Sequence, residues 1–227
     1  MKTARKAILL VLCVICLVVA SVMGTLAYLT DTETVENTFT VGNIVITLNE
    51  EDVDGSSANK DRDQANEYHL LPGKDYKKDP TIHVDASSEE CYLFVAVNNG
   101  IAQIEAATGT TKTNGTTYTN IADQMTAKGW VALDADKYPN VYYLAANGTP
   151  VTNNAGTNPV VFSEFMIDGN KAVNVAEGET APAGKYDIAA YTTADNSVKI
   201  TVAAYAVQKE GFATPAAAWA ATFGASN

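Results

Sequence analysis

Two short runs of aspartate are the first residues in this 227-residue chain that could do chemistry: Asp52 and Asp54 in "DVDG", then Asp61 and Asp63 in "KDRD". Hard carboxylate oxygens gathered on a flexible turn are what calcium requires. The spacing nevertheless misses the EF-hand frame. No ligand follows Gly55 at the right interval, and Lys60 and Arg62 neutralise part of the charge. A solvated, exposed loop from Glu50 to Glu67 is therefore the expectation, with calcium the weaker one and no metal assigned.

Catalytic chemistry finds fewer handles. His69 and His83 are the only histidines, and neither lies in an H-E-x-x-H arrangement that would place two zinc ligands on one helix face. His69 borders a turn in "EYHLLPG", and His83 belongs on the outer side of a short strand. No serine sits in G-x-S-x-G, so a nucleophile elbow is missing. Cys91 alternates with Leu93 and Val95 and should be buried and inert. Cys13 and Cys16 form a C-x-x-C, but they fall inside an apolar run and read as small fillers. The expectation is a protein without a catalytic set and without a cofactor.

The elements that would carry these side chains read mostly with period two. Ile44, Ile46 and Leu48 share one face of a half-buried strand, and Gly42 breaks the phase set by Phe39 and Val41. A Pro-Gly turn precedes a strand with Ile82 and Val84 inward and His83 outward. "CYLFVAVNN" is apolar on both faces and belongs at the centre of a sheet covered on both sides. "YTNIADQMTAKGW" predicts a short helix capped by Asn120 and ended by Gly129. "TPAAAWAATF" predicts another, with Thr214 as N-cap and Pro215 at its first position. "KYDIAAYTT" and "SVKITVAAYAVQ" predict a late hairpin, with Val198, Ile200, Val202 and Ala204 facing the core. Short strands, one or two short helices and no βαβ alternation predict a mainly β chain, an antiparallel β-sandwich.

The first residues read as a secretory signal. Lys2, Arg5 and Lys6 precede an uncharged run from Ala7 to Met23, and Thr25 and Ala27 supply small side chains at −3 and −1 of a cut before Tyr28. The run is long for a signal and short for a membrane span, so anchoring remains the alternative to release. The cut divides the chain into a signal peptide (1–27), an N-terminal segment (28–41) and a β domain (42–227). Removing Lys2, Arg5 and Lys6 from 15 Lys+Arg leaves 12 against 26 Asp+Glu, a formal charge of −14. Such a surface repels nucleic acid and anionic lipid. Only Cys91 would survive the cut, so no disulfide could staple the domain.

The order "GTLAYLTDTETVENTFTVGNIVITLNE", "LLPGKDYKKDPTIHV", "CYLFVAVNN" and "SVKITVAAYAVQ" resembles the TasA/camelysin family of secreted bacterial proteins. The "T-x-A-Y-x-T-D" edge is similar to the cut site of that family's dedicated, ER-type signal peptidase, and "NTFTVGNI" to its first strand. The resemblance implies a jelly-roll-like sandwich, secretion to the extracellular matrix or cell surface, and fibres built from copies of the chain itself, with other matrix components as further partners. The camelysin branch would instead imply a surface metalloprotease, for which no zinc motif is present here. Leu29, Val35, Phe39 and Val41 fall on one face of residues 28–41, interrupted by Asp31, Glu33 and Asn37. That segment could complete a neighbour's sheet or fold back onto its own domain as an edge strand. A third reading is a surface adhesin or ligand-binding module using Tyr118, Tyr142 or Tyr143.

Overall fold

The centre of the fold is β5, Cys91–Asn99 (β1 to β4 precede it below), which pairs on both sides. Its residues up to Val97 are apolar with neither Gly nor Pro, so that stretch can be buried on both faces. On one side lies β12 (Ile200–Gln208), antiparallel over nine residues from Ile200↔Asn99 to Gln208↔Cys91. On the other lies β7 (Val141–Ala146), which in turn pairs with β6 (Trp130–Ala132) and β8 (Thr149–Pro150). The β7–β8 hairpin turns on Asn147 and Gly148, both at positive φ, as a two-residue loop with the right twist requires.

In this computed structural model the described residues are 13, 15–17, 43–56, 62–176, 178–193 and 198–224. The expected signal peptide and its expected cut at Thr25, Ala27 and Tyr28, the segment carrying Leu29, Val35, Phe39 and Val41, and Asp61 fall outside them, save for helical residues 13 and 15–17. Residues Gly42–Asn227 form one compact unit. Among the described residues no helix is long and apolar enough to cross a membrane.

A second, three-stranded sheet has the order β2-β1-β4, from β1 (Ile46–Glu51), β2 (Arg62–Asp63) and β4 (Thr81–Val84), all antiparallel. The pair β3 (Asp75–Lys77) and β9 (Glu164–Met166) is antiparallel as well. The chain is thus mainly β and built on antiparallel sheets. Among the described residues the one parallel ladder joins the two-residue strands β10 (Ala172–Val173) and β11 (Tyr186–Asp187).

Two apolar clusters use the two faces of β5. Cys91, Leu93, Val95 and Val97 join Ile82 and Val84 of β4, Trp130, Phe162, Phe165 and Ile167, with Ile44, Ile46 and Leu48 partly buried against them. Tyr92 and Phe94 face the other way, onto Tyr138, Val141 and Trp219. Trp219 belongs to α3 (Pro215–Phe223), whose N-cap Thr214 accepts from Ala217 N–H at 3.2 Å. The rings of Phe94 and Trp219 are 5.1 Å apart. Helix α1 (Ile121–Ala127) is capped by Asn120, which accepts from Asp123 N–H at 2.8 Å. It ends at Gly129, where φ is +90° and any Cβ would collide with the Ala145 carbonyl oxygen.

Three expectations are corrected. The late hairpin does not form: Tyr186 and Asp187 give only β11, Ile188–Thr193 is a helix (α2), and β12 pairs with β5. Asp187 caps that helix through the amides of Ala189 and Ala190, and alanine favours helix over strand. Beyond the helical residues 13 and 15–17, the described residues therefore hold three short helices where one or two were expected. The stretch from Glu50 to Glu67 is not all exposed loop, because β1 runs on to Glu51 and pairs with β2, and Glu50 is 5% exposed.

Candidate functional site

Two strand edges that pair with no other described strand face a shared groove. β12 is the outer strand of its sheet, and β1 meets β2 only at Glu50 and Glu51. Over Ile46–Asn49 the edge of β1 opposite β4 pairs with no described strand. Cα atoms of β1 and β12 come within 8 Å of one another, yet no backbone hydrogen bond joins them. Between them lies a groove of about 1140 Å³, floored by Ile101 and Phe165 and flanked by Ile46, Leu48, Ile200 and Val202. All four flanking side chains are half-buried against the main core.

One end of the groove is charged. Glu50 shares the inward face of β1 with Ile46 and Leu48, and Lys78 Nζ reaches its carboxylate at 2.5 Å. The ammonium also stands 5.6 Å from the centre of the Tyr68 ring, a cation–π contact. Burial first, then the carboxylates of Glu50, Asp79 and Asp54, push the Tyr68 phenol well above its usual range. Arg62 of β2 locks this corner by donating to Asn49 O, Asp79 O and Thr81 Oγ1 at 2.9–3.1 Å and pairing with Asp79.

Beyond Glu51 the acidic turn brings Asp52, Asp54 and Asp63 together, with one oxygen of each within 4.8 Å of the others. Asp61 is outside the described residues. The turn satisfies these carboxylates itself. Gly55 N–H donates to Asp52, Ser56 and Glu67 N–H to Asp54, and Gln64 N–H and Ser56 Oγ–H to Asp63. The Ser56 hydroxyl, then the Glu67 and Ser56 amides, hold Asp54 down at about 2. The Ser56 hydroxyl is also the main cause of the lowered Asp63 value.

The remaining candidates are dispersed. His69 is exposed, and His83 is tied at both ring nitrogens, to Asn158 Oδ1 and Asn49 Oδ1 at 2.8 Å each. Cys91 is fully buried, and burial pushes its thiol up, away from the reactive thiolate. The three tyrosines considered for ligand binding are not a surface platform. Tyr118 is fully buried and donates to Glu105 at 2.7 Å, while Tyr142 and Tyr143 pack against opposite clusters. Sequence reasoning missed the groove, although Glu50 in phase with Ile46 and Leu48 was a legible signal of an inward charge. The sequence matches no protein-family model and no curated protein.

Proposed function

We propose that this chain is a secreted structural protein that assembles with copies of itself into extracellular fibres. Release by a signal peptidase after Ala27 frees residues 28–41, which enter the β1–β12 groove of the next copy. The observation that carries this reading is the groove, where two strand edges unpaired among the described residues flank an apolar floor. An added strand gains main-chain hydrogen bonds on both sides, which edge strands otherwise leave open to chance pairing. It needs the flanks roughly 9–10 Å apart, twice the usual strand spacing, so β1 and β12 part slightly at their closest approach.

Burying Phe39 and Val41 would contribute roughly 1.5–3 kcal/mol each. Because donor and acceptor surfaces differ, the contact is heterologous and need not close, which gives filaments. With the inserted strand, the two sheets would make a jelly-roll-like sandwich. The acidic surface keeps the unassembled chain soluble and excludes nucleic acid as a partner. Electron microscopy of chains starting at Tyr28 and at Gly42 tests the reading. Fibres are expected only from the longer chain, with the same circular dichroism for both. Fibres from the shorter chain would end it.

A further inference from the structure

Three asparagines in this chain are followed by glycine: Asn99–Gly100, Asn114–Gly115 and Asn147–Gly148. In such a pair the glycine nitrogen can attack the asparagine side chain, because no Cβ on the second residue stands in its way. The fold treats the three pairs differently. We propose that Asn147, at the tip of the β7–β8 hairpin, is a site of spontaneous modification. It converts to aspartate and isoaspartate while Asn99 and Asn114 are protected.

The other two pairs are tied down. Asn99 is half-buried at the end of β5, where its Nδ2 donates to Glu105 Oε2 at 2.7 Å and its Oδ1 accepts from Ile101 N–H at 3.1 Å. The Gly100 N–H donates to Lys199 O at 3.1 Å. Asn114 is exposed, yet its Oδ1 accepts from Thr116 N–H at 2.9 Å and from the Thr116 hydroxyl at 2.6 Å. The Gly115 N–H donates to Lys112 O at 2.9 Å. In both pairs the side-chain amide is held in place and the attacking nitrogen is already engaged.

Asn147 has neither restraint. Asn147, Gly148 and Thr149 are all exposed, and a Cβ placed on Gly148 would meet nothing within 4 Å. Among the described residues, neither the Asn147 side chain nor the Gly148 N–H has a hydrogen-bond partner. The five-membered ring that must form fixes the Asn147–Gly148 torsion at a value a tight turn does not hold, so the loop has to open first. Little opposes that opening. Ala145↔Pro150 is a non-bonded pair, since Pro150 has no N–H and Ala145 gives its own to Gly129 O at 2.8 Å. Only Ala146↔Thr149 closes the tip beyond the bond from Val151 N–H to Leu144 O at 3.0 Å. Such a tip opens locally while the sheet stays folded.

The reaction needs no reactant beyond water. The Gly148 nitrogen loses its proton to base and attacks Asn147 Cγ; the N–Cγ bond forms, the Cγ–Nδ2 bond breaks, and the amide leaves as ammonia after taking a proton from solvent. Water then opens the cyclic imide. Breaking the N–Cγ bond gives aspartate, and breaking the bond from the nitrogen to the main-chain carbonyl carbon gives isoaspartate, whose backbone runs through Cβ and Cγ. Either product adds one negative charge to the hairpin tip, and isoaspartate also lengthens the two-residue loop.

The test incubates the purified chain in water enriched in heavy oxygen, folded and in denaturant, and maps label uptake by peptide mass spectrometry. In denaturant the three pairs should react at similar rates, because each is Asn-Gly. In the folded chain Asn147 should take up label about tenfold or more faster than Asn99 and Asn114, each of which must first break two or more hydrogen bonds. Its rate should rise with pH, because the attacking nitrogen reacts deprotonated. Asn147→Gln, which would need a larger ring, should abolish the new acidic species on isoelectric focusing. Equal labelling of the three sites in the folded chain, or labelling of Asn114 first, would overturn the proposal. So would a folded chain that stays unlabelled at Asn147 while the denatured chain reacts, or an acidic species that persists in Asn147→Gln.

Discussion

β5 and β12 are both nine residues long, both rich in apolar side chains, and paired to each other along their full length, yet they live in different surroundings. β5 is buried from Cys91 through Val95, whereas β12 alternates half-buried and exposed positions and is fully buried only at Val207. The difference lies in neighbours. β5 has β7 on its second edge and α3 over its outer face, while the second edge of β12 borders the groove. Hydrophobic content alone does not decide burial; place in the sheet does. The closed region holds the fold, and the open one is where the proposed assembly would take place.

The largest effect should come from the closed side. Phe94→Ala removes a ring with no exposure from between β5 and Trp219, and should cost about 3–5 kcal/mol in denaturant unfolding. A loss no larger than that at a β12 position would break the contrast between centre and edge.

Glu105→Ala comes next. This carboxylate is 7% exposed and accepts from Tyr118 Oη, Ile121 N and Asn99 Nδ2 at 2.7–2.8 Å. Its removal orphans buried donors at the start of α1, a loss of about 1–3 kcal/mol, with Glu105→Gln milder. Thermal unfolding of the two variants checks the order.

On the open side, Val202→Ala should cost the isolated domain less than about 1.5 kcal/mol, since its side chain is only half-buried. The same change should slow fibre growth far more than it lowers stability. Equal losses in both measurements would make β12 an ordinary core strand.

The smallest effect belongs to the acidic turn. The carboxyl of Asp54 should titrate at about 2, and Ser56→Ala should move it back towards 3.8. Its value is lowered on folding, so its contribution is present at neutral pH and fades as pH falls from about 4 towards 2. Carboxyl chemical shifts followed against pH read this directly, with little change expected in global stability.

Much of the local structure was legible in the residues. The two-faced pattern of "CYLFVAVNN", the caps Asn120 and Thr214, and the alternation of Ile82, His83 and Val84 depend on neighbours a few positions away, and period and side-chain chemistry suffice for those. "KYDIAAYTT" misled because its alternation suits a strand while Asp187 and two alanines can also start a helix. The choice fell to pairing. β12 forms its nine-residue ladder with β5, while Ile188–Thr193 is helical and adds no arm to the other edge of β12.

The candidate site was legible only in pieces. Asp52, Asp54 and Asp63 could be named from a single turn, because their meeting is local. The groove could not, since its walls come from residues about 150 positions apart, and nothing near Ile46 states that Ile200 stands across from it. The sequence by itself determined which side chains face inward on each strand, because alternation is a property of the extended backbone. Which strand edges pair with no other described strand, and that Glu50 and Lys78 close the groove between two of them, was decided only by tertiary structure, through long-range pairing that no local pattern encodes.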